Sequence, residues 1–373
     1  MRTLTHALPS ATPGHRHELT SLHFGPGGGL KATIQAGLHA DEVPGMLVMH
    51  HLREQLGALE AAGAIAGEVV LVPLANPIGL SQRLLHGPVG RFDLGTGENF
   101  NRHFANLLDA ARASLERNRL LPTGDMVRNI RLALVDACHA LPALTELAGQ
   151  RRLLLGLAVD ADIVLDLHAD TSSVLHMYTA DPVWPQAEPL ARLLGAELVL
   201  LAESSGGDPF DESCSMLWAH LARRQAADAA AQVPLACLAV TVELRGQAAV
   251  SDELARSDAL ALLSFLTWRG LLTGPRPHLP ALKRLPSPLA GSMPVVAPHA
   301  GVLLMRCGAG TQVQCGEPVA DLVEPISGLR STLLSPVDGY LYAHDARCFA
   351  LAGDKVARVA GPQPMRLGNL LSP

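Results

Sequence analysis

Ala32-Thr33-Ile34-Gln35-Ala36-Gly37-Leu38-His39-Ala40-Asp41-Glu42 decides how this chain folds. An apolar run ends on a His and, three residues later, a Glu. An amphipathic segment, Val43 to Ala62, follows and ends near Gly63. Strand, His-x-x-Glu, then helix is a layout that delivers metal ligands to the carboxyl edge of an open α/β sheet, where ligands collect. The spelling alone does not settle it, because His15-Arg16-His17-Glu18 and His51-Leu52-Arg53-Glu54 repeat it. The first copy lies in a polar stretch ahead of the strands. The second lies inside the helix, where residues three apart share a face but no strand end fixes them.

Working outward, His17–Phe24 and Leu30–Leu38, joined by the turn at 25–29, predict a hairpin at the front of the sheet. Glu68–Ala75 and Ala161–Leu167 are nearly continuous apolar runs, the pattern of strands covered on both faces. Glu197–Leu201 and Ala236–Val242 predict further strands. Helices are predicted at Asp125–Leu155 (one or two), Ser213–Gln232 and Asp252–Leu272. This alternation makes residues 1–275 an α/β domain with a mixed, mostly parallel sheet flanked by helices. Asn76-Pro77 opens a long loop through Phe104, and a loop of that length in a compact domain usually has a function.

Beyond Thr273 the composition changes. Pro275, Pro277, Pro280, Pro286 and Pro288 mark a crossover, and short apolar runs broken by Gly turns follow. Residues 276–373 therefore read as a Pro-rich crossover and a small all-β, barrel-sandwich-like module. Its text is similar to lipoyl and biotinyl carrier modules, but the exposed hairpin Ile326-Ser-Gly-Leu-Arg330 holds no Lys to carry a cofactor. A structural or gating part is the remaining reading.

Composition narrows the function. The chain has 373 residues, 48% hydrophobic and 17% charged, which describes a folded globular protein. A net charge of −6 without a basic run argues against nucleic acid as a partner. No apolar stretch is long enough for a bilayer span, and no secretory h-region precedes the first strand. The six cysteines form no CxxC pair, so they read as reduced thiols of a cytoplasmic protein.

The chemistry gathers at strand ends. His168 follows the apolar run Ile163–Leu167, so His39, Glu42 and His168 offer zinc three ligands and leave a position for water. Zinc held so lowers the pKa of that water to about 7. The competing reading of His39 and Glu42 alone is a helix cap with a neutral His. Glu243, closing the run Cys237–Val242, suits a general base whose pKa burial raises; an ion pair with Arg245 is its alternative. The loop 76–104 adds Arg83, Arg91 and Arg102, with Asn101 adjacent. Guanidinium groups can stabilise an oxyanion or grip a carboxylate. Gly206–Asp211 and His176–Tyr178 are candidate wall loops, and Tyr178 can donate into a pocket or pack in the core.

Together these residues resemble the succinylglutamate desuccinylase/aspartoacylase family, relatives of the zinc carboxypeptidases. The motifs are His39-Ala-Asp-Glu42, Asn76-Pro77, Arg91-Phe92, Asn101-Arg102-His103-Phe104, Asp166-Leu-His168 and Thr241-Val-Glu243-Leu-Arg-Gly246, spread over about residues 30–360. The resemblance implies a zinc carboxypeptidase-like fold and one zinc per chain on His39, Glu42 and His168. It implies Glu243 as general base and then acid, Arg91 polarising the scissile carbonyl, and Asn101 and Arg102 on the substrate's α-carboxylate. The familiar D-L-N-R is Asn99-Phe100-Asn101-Arg102 here, and Gly95-Thr-Gly-Glu98 is inserted after Arg91. The expected activity is amide hydrolysis in a small carboxylate-bearing substrate, an N-acyl amino acid. A metallocarboxypeptidase acting on short peptides and a non-catalytic ligand-binding protein are the alternatives. Oligomeric state is left open.

Overall fold

The apolar runs meet as neighbours at the centre of one nine-stranded sheet. In the computed structural model of the chain, which describes residues 1–118, 121–225 and 233–371, we number its strands as follows. They are β1 (Arg2–Ala7), β2 (Glu18–Phe24), β3 (Lys31–Ala36), β4 (Glu68–Val72), β5 (Ile163–Asp170), β6 (His176–Thr179), β7 (Leu198–Leu201), β8 (Leu238–Gly246) and β9 (Ser287–Pro288). The spatial order is β1-β2-β4-β3-β5-β8-β6-β7-β9. β4, β3, β5 and β8 run parallel in the middle, and antiparallel pairs sit at β1/β2, β2/β4 and β8/β6.

Helices cover both faces. On one side, α1 (Pro44–Ala61), α6 (Trp184–Leu194) and α8 (Asp252–Trp268) bury Val48, Leu52, Leu190 and Leu262 against Ile34, Leu165, Leu167 and Val240. On the other, α3 (Leu108–Asn118), α4 (Thr123–His139), α5 (Glu146–Ala158) and α7 (Phe210–Gln225) bury Leu115, Ile130, Leu154 and Trp218 against Val72, Val164 and Ala239. A short helix, α2 (Pro77–Ser81), opens the long loop, capped by Asn76 accepting from the Gly79 amide. Burial on both faces explains the unbroken apolar text of the central strands.

Several expectations are corrected. β2 and β3 do not form a hairpin: β4 lies between them, antiparallel to β2 and parallel to β3. The run in β4 is apolar on both faces, as in a strand inside the sheet, and the crossover through α1 places it there. The partner of β2 across the outer edge is β1, drawn from the stretch expected to be a polar tail. The strand bearing His168 continues to Asp170. Strand β6 and helices α3 and α6 carried no periodicity that we read. Residues 226–232, at the end of the helix expected over 213–232, lie outside the described residues.

The C-terminal region is all β. One sheet is built on Ser292–Val296, Lys355–Ala360, Gly339–His344 and Thr311–Val313, the other on Arg330–Leu334, Pro318–Val323, Gly301–Met305 and Phe349–Ala350. They enclose Val295, Leu303, Val319, Leu322, Leu341 and Val356. This module is stitched to the first sheet: Ala343 pairs with Ser173, and the Val174 amide donates to the Tyr342 carbonyl at 3.0 Å. Among the described residues no helix is long and apolar enough to cross a membrane, and all six cysteines are free thiols.

Candidate metal centre and active site

Strand periodicity places the site. Leu165 and Leu167 enter the core beneath α1, so Asp166 and His168 face the opposite side of the sheet. In β8 the residues Leu238, Val240, Val242 and Leu244 take the apolar face, which turns Thr241 and Glu243 to the side of His168. Glu243 is the register partner of His168, and across β8 it pairs with His176 while Thr241 pairs with Tyr178. One row of the sheet thus presents His168, Glu243 and His176, with Tyr178 beside them.

His39 and Glu42 reach this row from the turn after β3, in which the Glu42 amide donates to the His39 carbonyl at 3.1 Å. Gly90 lies against the turn, accepting from the Ala40 amide at 2.9 Å, and a Cβ there would stand 2.3 Å from the Asp41 nitrogen. The Glu42 carboxylate is shared: Oε1 is 2.9 Å from His39 Nδ1, and Oε2 is 2.8 Å from His168 Nδ1. The Ala169 amide also donates to Oε2, at 3.0 Å. Asn99 Oδ1 lies 2.8 Å from His39 Nε2, and Asp166 Oδ2 lies 2.9 Å from His168 Nε2, out of line for a hydrogen bond. Gln35 donates to the other oxygen of Asp166 at 3.0 Å. Carboxylate and carbonyl oxygens behind imidazoles are how metal-binding histidines are oriented.

These contacts test whether a cation fits. With its Nε2 proton on Asn99, a neutral His39 turns the Nδ1 lone pair toward an oxygen of Glu42, acceptor facing acceptor. A proton or a metal between them would resolve the clash, and here an N–H of Arg91 meets both, its Nη1 3.3 Å from His39 Nδ1 and 3.0 Å from Glu42 Oε1. Burial opposes charge on all three residues. Nevertheless Asp166 and Glu42 hold the His168 pKa well above its ordinary value, and His39 and His168 hold that of Glu42 well below. Burial and Arg91 push His39 down, toward the neutral form a metal needs. Among the described residues three His/carboxylate groups are close enough to share an ion, and only His39, Glu42 and His168 are all buried. His15 and His17 gather around Glu146 at the surface, and His51 is 3.2 Å from Asp252 rather than bonded to Glu54.

Eight of the residues singled out from the sequence (His39, Glu42, His168, Glu243, Arg91, Asn101, Arg102 and Tyr178) line one cavity. Glu243 is held there without a pairing to Arg245, whose guanidinium instead grips Asp258 through two 2.8 Å bonds. Its Oε2 is buried with no hydrogen-bond partner, and burial, then Glu42, push its pKa up to about 8. Arg91 donates to Glu42 Oε1 at 3.0 Å. The insert after Arg91 closes as a tight turn, with the Asp93 amide donating to Glu98 at 2.8 Å and the Phe100 amide to Arg91 at 3.1 Å. Arg91 and Asn101-Arg102 thereby stay on one wall.

Asn101 Oδ1 accepts from the Phe210 amide at 2.9 Å, and Arg102 donates to the Asn101 carbonyl at 2.6 Å. His103 and Asp208 hold φ of 59° and 48° where the two loops bond, His103 to Gly207 and Phe104 to Asp208. Backbone in this region is kept only where its surroundings enforce it. Tyr178 is buried with its hydroxyl 3.3 Å from His176 Nε2. Arg83 sits exposed on a small hairpin, away from the cavity.

Sequence reading gave no role to Asn99, Asp166, Asp170, Glu212 or Arg358. Asp166 was within reach: two residues before His168 in a strand, it must share that face. Asp211, its pKa pushed up to about 7 by burial and then by Glu212, lines the cavity with Glu212 at the start of α7. Arg358 arrives from the β module, which no local pattern announces.

Comparison with known proteins follows the same lines. The succinylglutamate desuccinylase/aspartoacylase catalytic domain matches residues 28–140, the segment holding His39, Glu42, Arg91, Asn101 and Arg102. A protein of Shewanella amazonensis assigned to that family in its solved structure is 26% identical, with a TM-score of 0.85 over 96% of this chain and 98% of its own. One from Shewanella frigidimarina is 24% identical, with a TM-score of 0.86 over 96% of each chain. The product-bound ectoine utilization protein EutE of Ruegeria pomeroyi is 15% identical, with a TM-score of 0.67 over 96% of this chain and 94% of its own. The last two likenesses are of fold alone. No curated protein matches the chain.

Proposed function

We propose that this chain, whose residues 28–140 match the succinylglutamate desuccinylase/aspartoacylase catalytic domain, is a zinc-dependent amidohydrolase that deacylates an N-acyl amino acid. The observation that carries the reading is the shared Glu42 carboxylate between two buried imidazoles, with the unpartnered carboxyl of Glu243 next in the same row.

His39, Glu42 and His168 would hold the ion, and nitrogen with carboxylate oxygen suits zinc. When bound, the metal supplies an acidified water and a Lewis acid for the scissile carbonyl. With a dication held by His39, Glu42 and His168, the Glu243 carboxyl would be favoured in the ionised form that a base requires. Glu243 then takes the proton of the attacking water and, neutral, returns it to the leaving amine. Arg91 donates to Glu42 Oε1. Once that carboxylate serves a metal, the guanidinium is free to stabilise charge developing on the carbonyl oxygen. Asn101 and Arg102, fixed by the strained junction with 206–209, would take the α-carboxylate.

Metal analysis with a substrate panel tests this. The purified protein should carry about one zinc per chain, lose activity to a chelator and regain it with zinc. It should cleave N-acyl amino acids in preference to peptides with free or blocked C-termini. Preference for free peptides would select the carboxypeptidase reading, and absence of bound metal would select a binding protein.

A further inference from the structure

We infer that His15, His17 and Glu146 form a second cation site near the surface, which takes a divalent ion of the zinc class and fastens the stretch between β1 and β2 to α5. The inference stands apart from the proposed activity, because none of these three residues lines the cavity of His39, Glu42 and His168.

His15 and His17 stand two apart where the chain enters β2, and alternate side chains of a strand share a side. Arg16 and Glu18 pair with each other at 3.2 Å, while the two imidazoles converge on Glu146, the first residue of α5. Their rings meet edge to face with centroids 4.4 Å apart. Nδ1 of His17 lies 3.1 Å from Glu146 Oε1, and Nδ1 of His15 lies 3.7 Å from the same oxygen. The frame around them is firm. The Leu8 amide donates to the His17 carbonyl at 3.0 Å, and Pro9 packs so closely on α5 that a Cβ on Gly149 would stand 2.3 Å from its ring.

Ser81 shows what the cluster lacks. Its hydroxyl donates to the Ile78 carbonyl at 2.7 Å, so toward His17 Nε2, 3.1 Å away, it can only accept. A neutral His17 therefore carries its proton on Nε2 and turns the Nδ1 lone pair to the Glu146 oxygen, acceptor against acceptor. Among the described residues no Lys or Arg pairs with that carboxylate. A proton on Nδ1 would settle the His17 contact alone and leave His15 out. A dication engages all three groups at once, and imidazole nitrogen with carboxylate oxygen suits zinc, nickel or cobalt. Ser81 then stands behind a ligating imidazole and sets its tautomer. His17 and Glu146 are nearly buried, whereas His15 keeps 52% of its side-chain surface and leaves a way in for the ion. That exposure makes the site weaker than the buried one, so it fills from added metal and empties on dialysis.

Metal titration reads this without turnover. The full chain is loaded with zinc, dialysed against metal-free buffer at about pH 8, where histidine is ordinarily neutral, and titrated with zinc and with cobalt in a calorimeter. Wild type should take up one further equivalent per chain with a Kd in roughly the micromolar range. H15A/H17A should lose that equivalent and keep the metal that survives dialysis. S81A retains all three ligands and should bind it about 10- to 100-fold more weakly, the usual cost of removing the partner behind a ligating histidine. E146Q should weaken it at least about tenfold. Neither S81A nor E146Q alters a backbone contact of the 8–17 stretch, so a loss in both cannot come from an unfolded loop. Uptake only above roughly millimolar metal, the level of adventitious surface binding, would overturn the inference. So would a second equivalent that persists unchanged in H15A/H17A, which would place the ion elsewhere, as at His50, His51 and Glu54.

Discussion

Glu243→Gln should cost the protein its turnover and make the metal-free fold more stable. The exchange is close to isosteric, and the carboxyl it removes has one buried oxygen without a partner. The pKa of Glu243 stands at about 8 against an ordinary 4.5. A raised acid binds its proton in the folded state when the unfolded chain has already released it. Stability therefore falls as pH rises from about 4.5 and levels off above about 8. At pH 7 the penalty is about 1.4 kcal/mol for each of roughly 2.5 pH units, or about 3 kcal/mol, and at pH 5 it is under about 1. Gln carries no such penalty. Urea titrations of chelated wild type and variant should diverge by about 3 kcal/mol at pH 7 and nearly coincide at pH 4.5. Zinc-loaded E243Q should keep its metal and lose about 10²- to 10⁴-fold in kcat, the usual contribution of a positioned acid–base. Full activity with stoichiometric zinc refutes the general-base role. Equal stability of the two proteins at pH 7 refutes the account of Glu243 as a carboxyl held at a cost.

Gly90→Ala should disturb the metal centre without touching a ligand, since its Cβ would lie 2.3 Å from the Asp41 nitrogen within the His39–Glu42 turn. We expect about 1–3 kcal/mol of destabilisation, as for other overpacked sites, and zinc affinity reduced at least about tenfold by competition with a chelator. Gly57→Ala, on α1 with open space around it, is the control that should do neither. Asp258→Ala strips Arg245 of both its 2.8 Å bonds at the bulge that follows Glu243. Arg245 is a quarter exposed, so the cost should sit below that of a fully buried pair, at roughly 2–3 kcal/mol, read as a lower urea midpoint at constant slope.

The central strands and the buried His39–Glu42–His168 cluster were legible because both depend on local pattern. A strand covered on both faces must be apolar throughout, and a polar residue at its end, His168 or Glu243, stands out against that run. The neighbours of those strands were less legible. Nothing within Glu18–Phe24 or Lys31–Ala36 states that Glu68–Val72 lies between them, since strand order is set by crossovers. β1 was missed because Arg2–Ala7 is an exposed edge strand with no apolar alternation to display. The same limit governs the site. Asp166 is a local neighbour of His168 and follows from periodicity alone. Arg358 meets Asp170 only because two β modules pair across a separation of 188 residues, and no window of sequence contains that information.

Fold and site are bound together by register. Glu243 faces His168 because Leu238, Val240, Val242 and Leu244 occupy the opposite, buried face of β8. A one-residue slip of that strand would drive Glu243 beneath α1 and α8 and turn four apolar side chains into the cavity. The hydrophobic pattern that forms the core is therefore what aims the Glu243 carboxyl. The Arg245–Asp258 pair acts at the point where this register ends: beyond Glu243 the ladder shifts before Gly246, and Arg245 takes a left-handed φ of 67° to make the turn. Conformations of that kind persist only where contacts hold them. The bidentate grip of Asp258 supplies such a contact, keeping Arg245 away from Glu243 and leaving that carboxyl unpaired for the base role we propose for it.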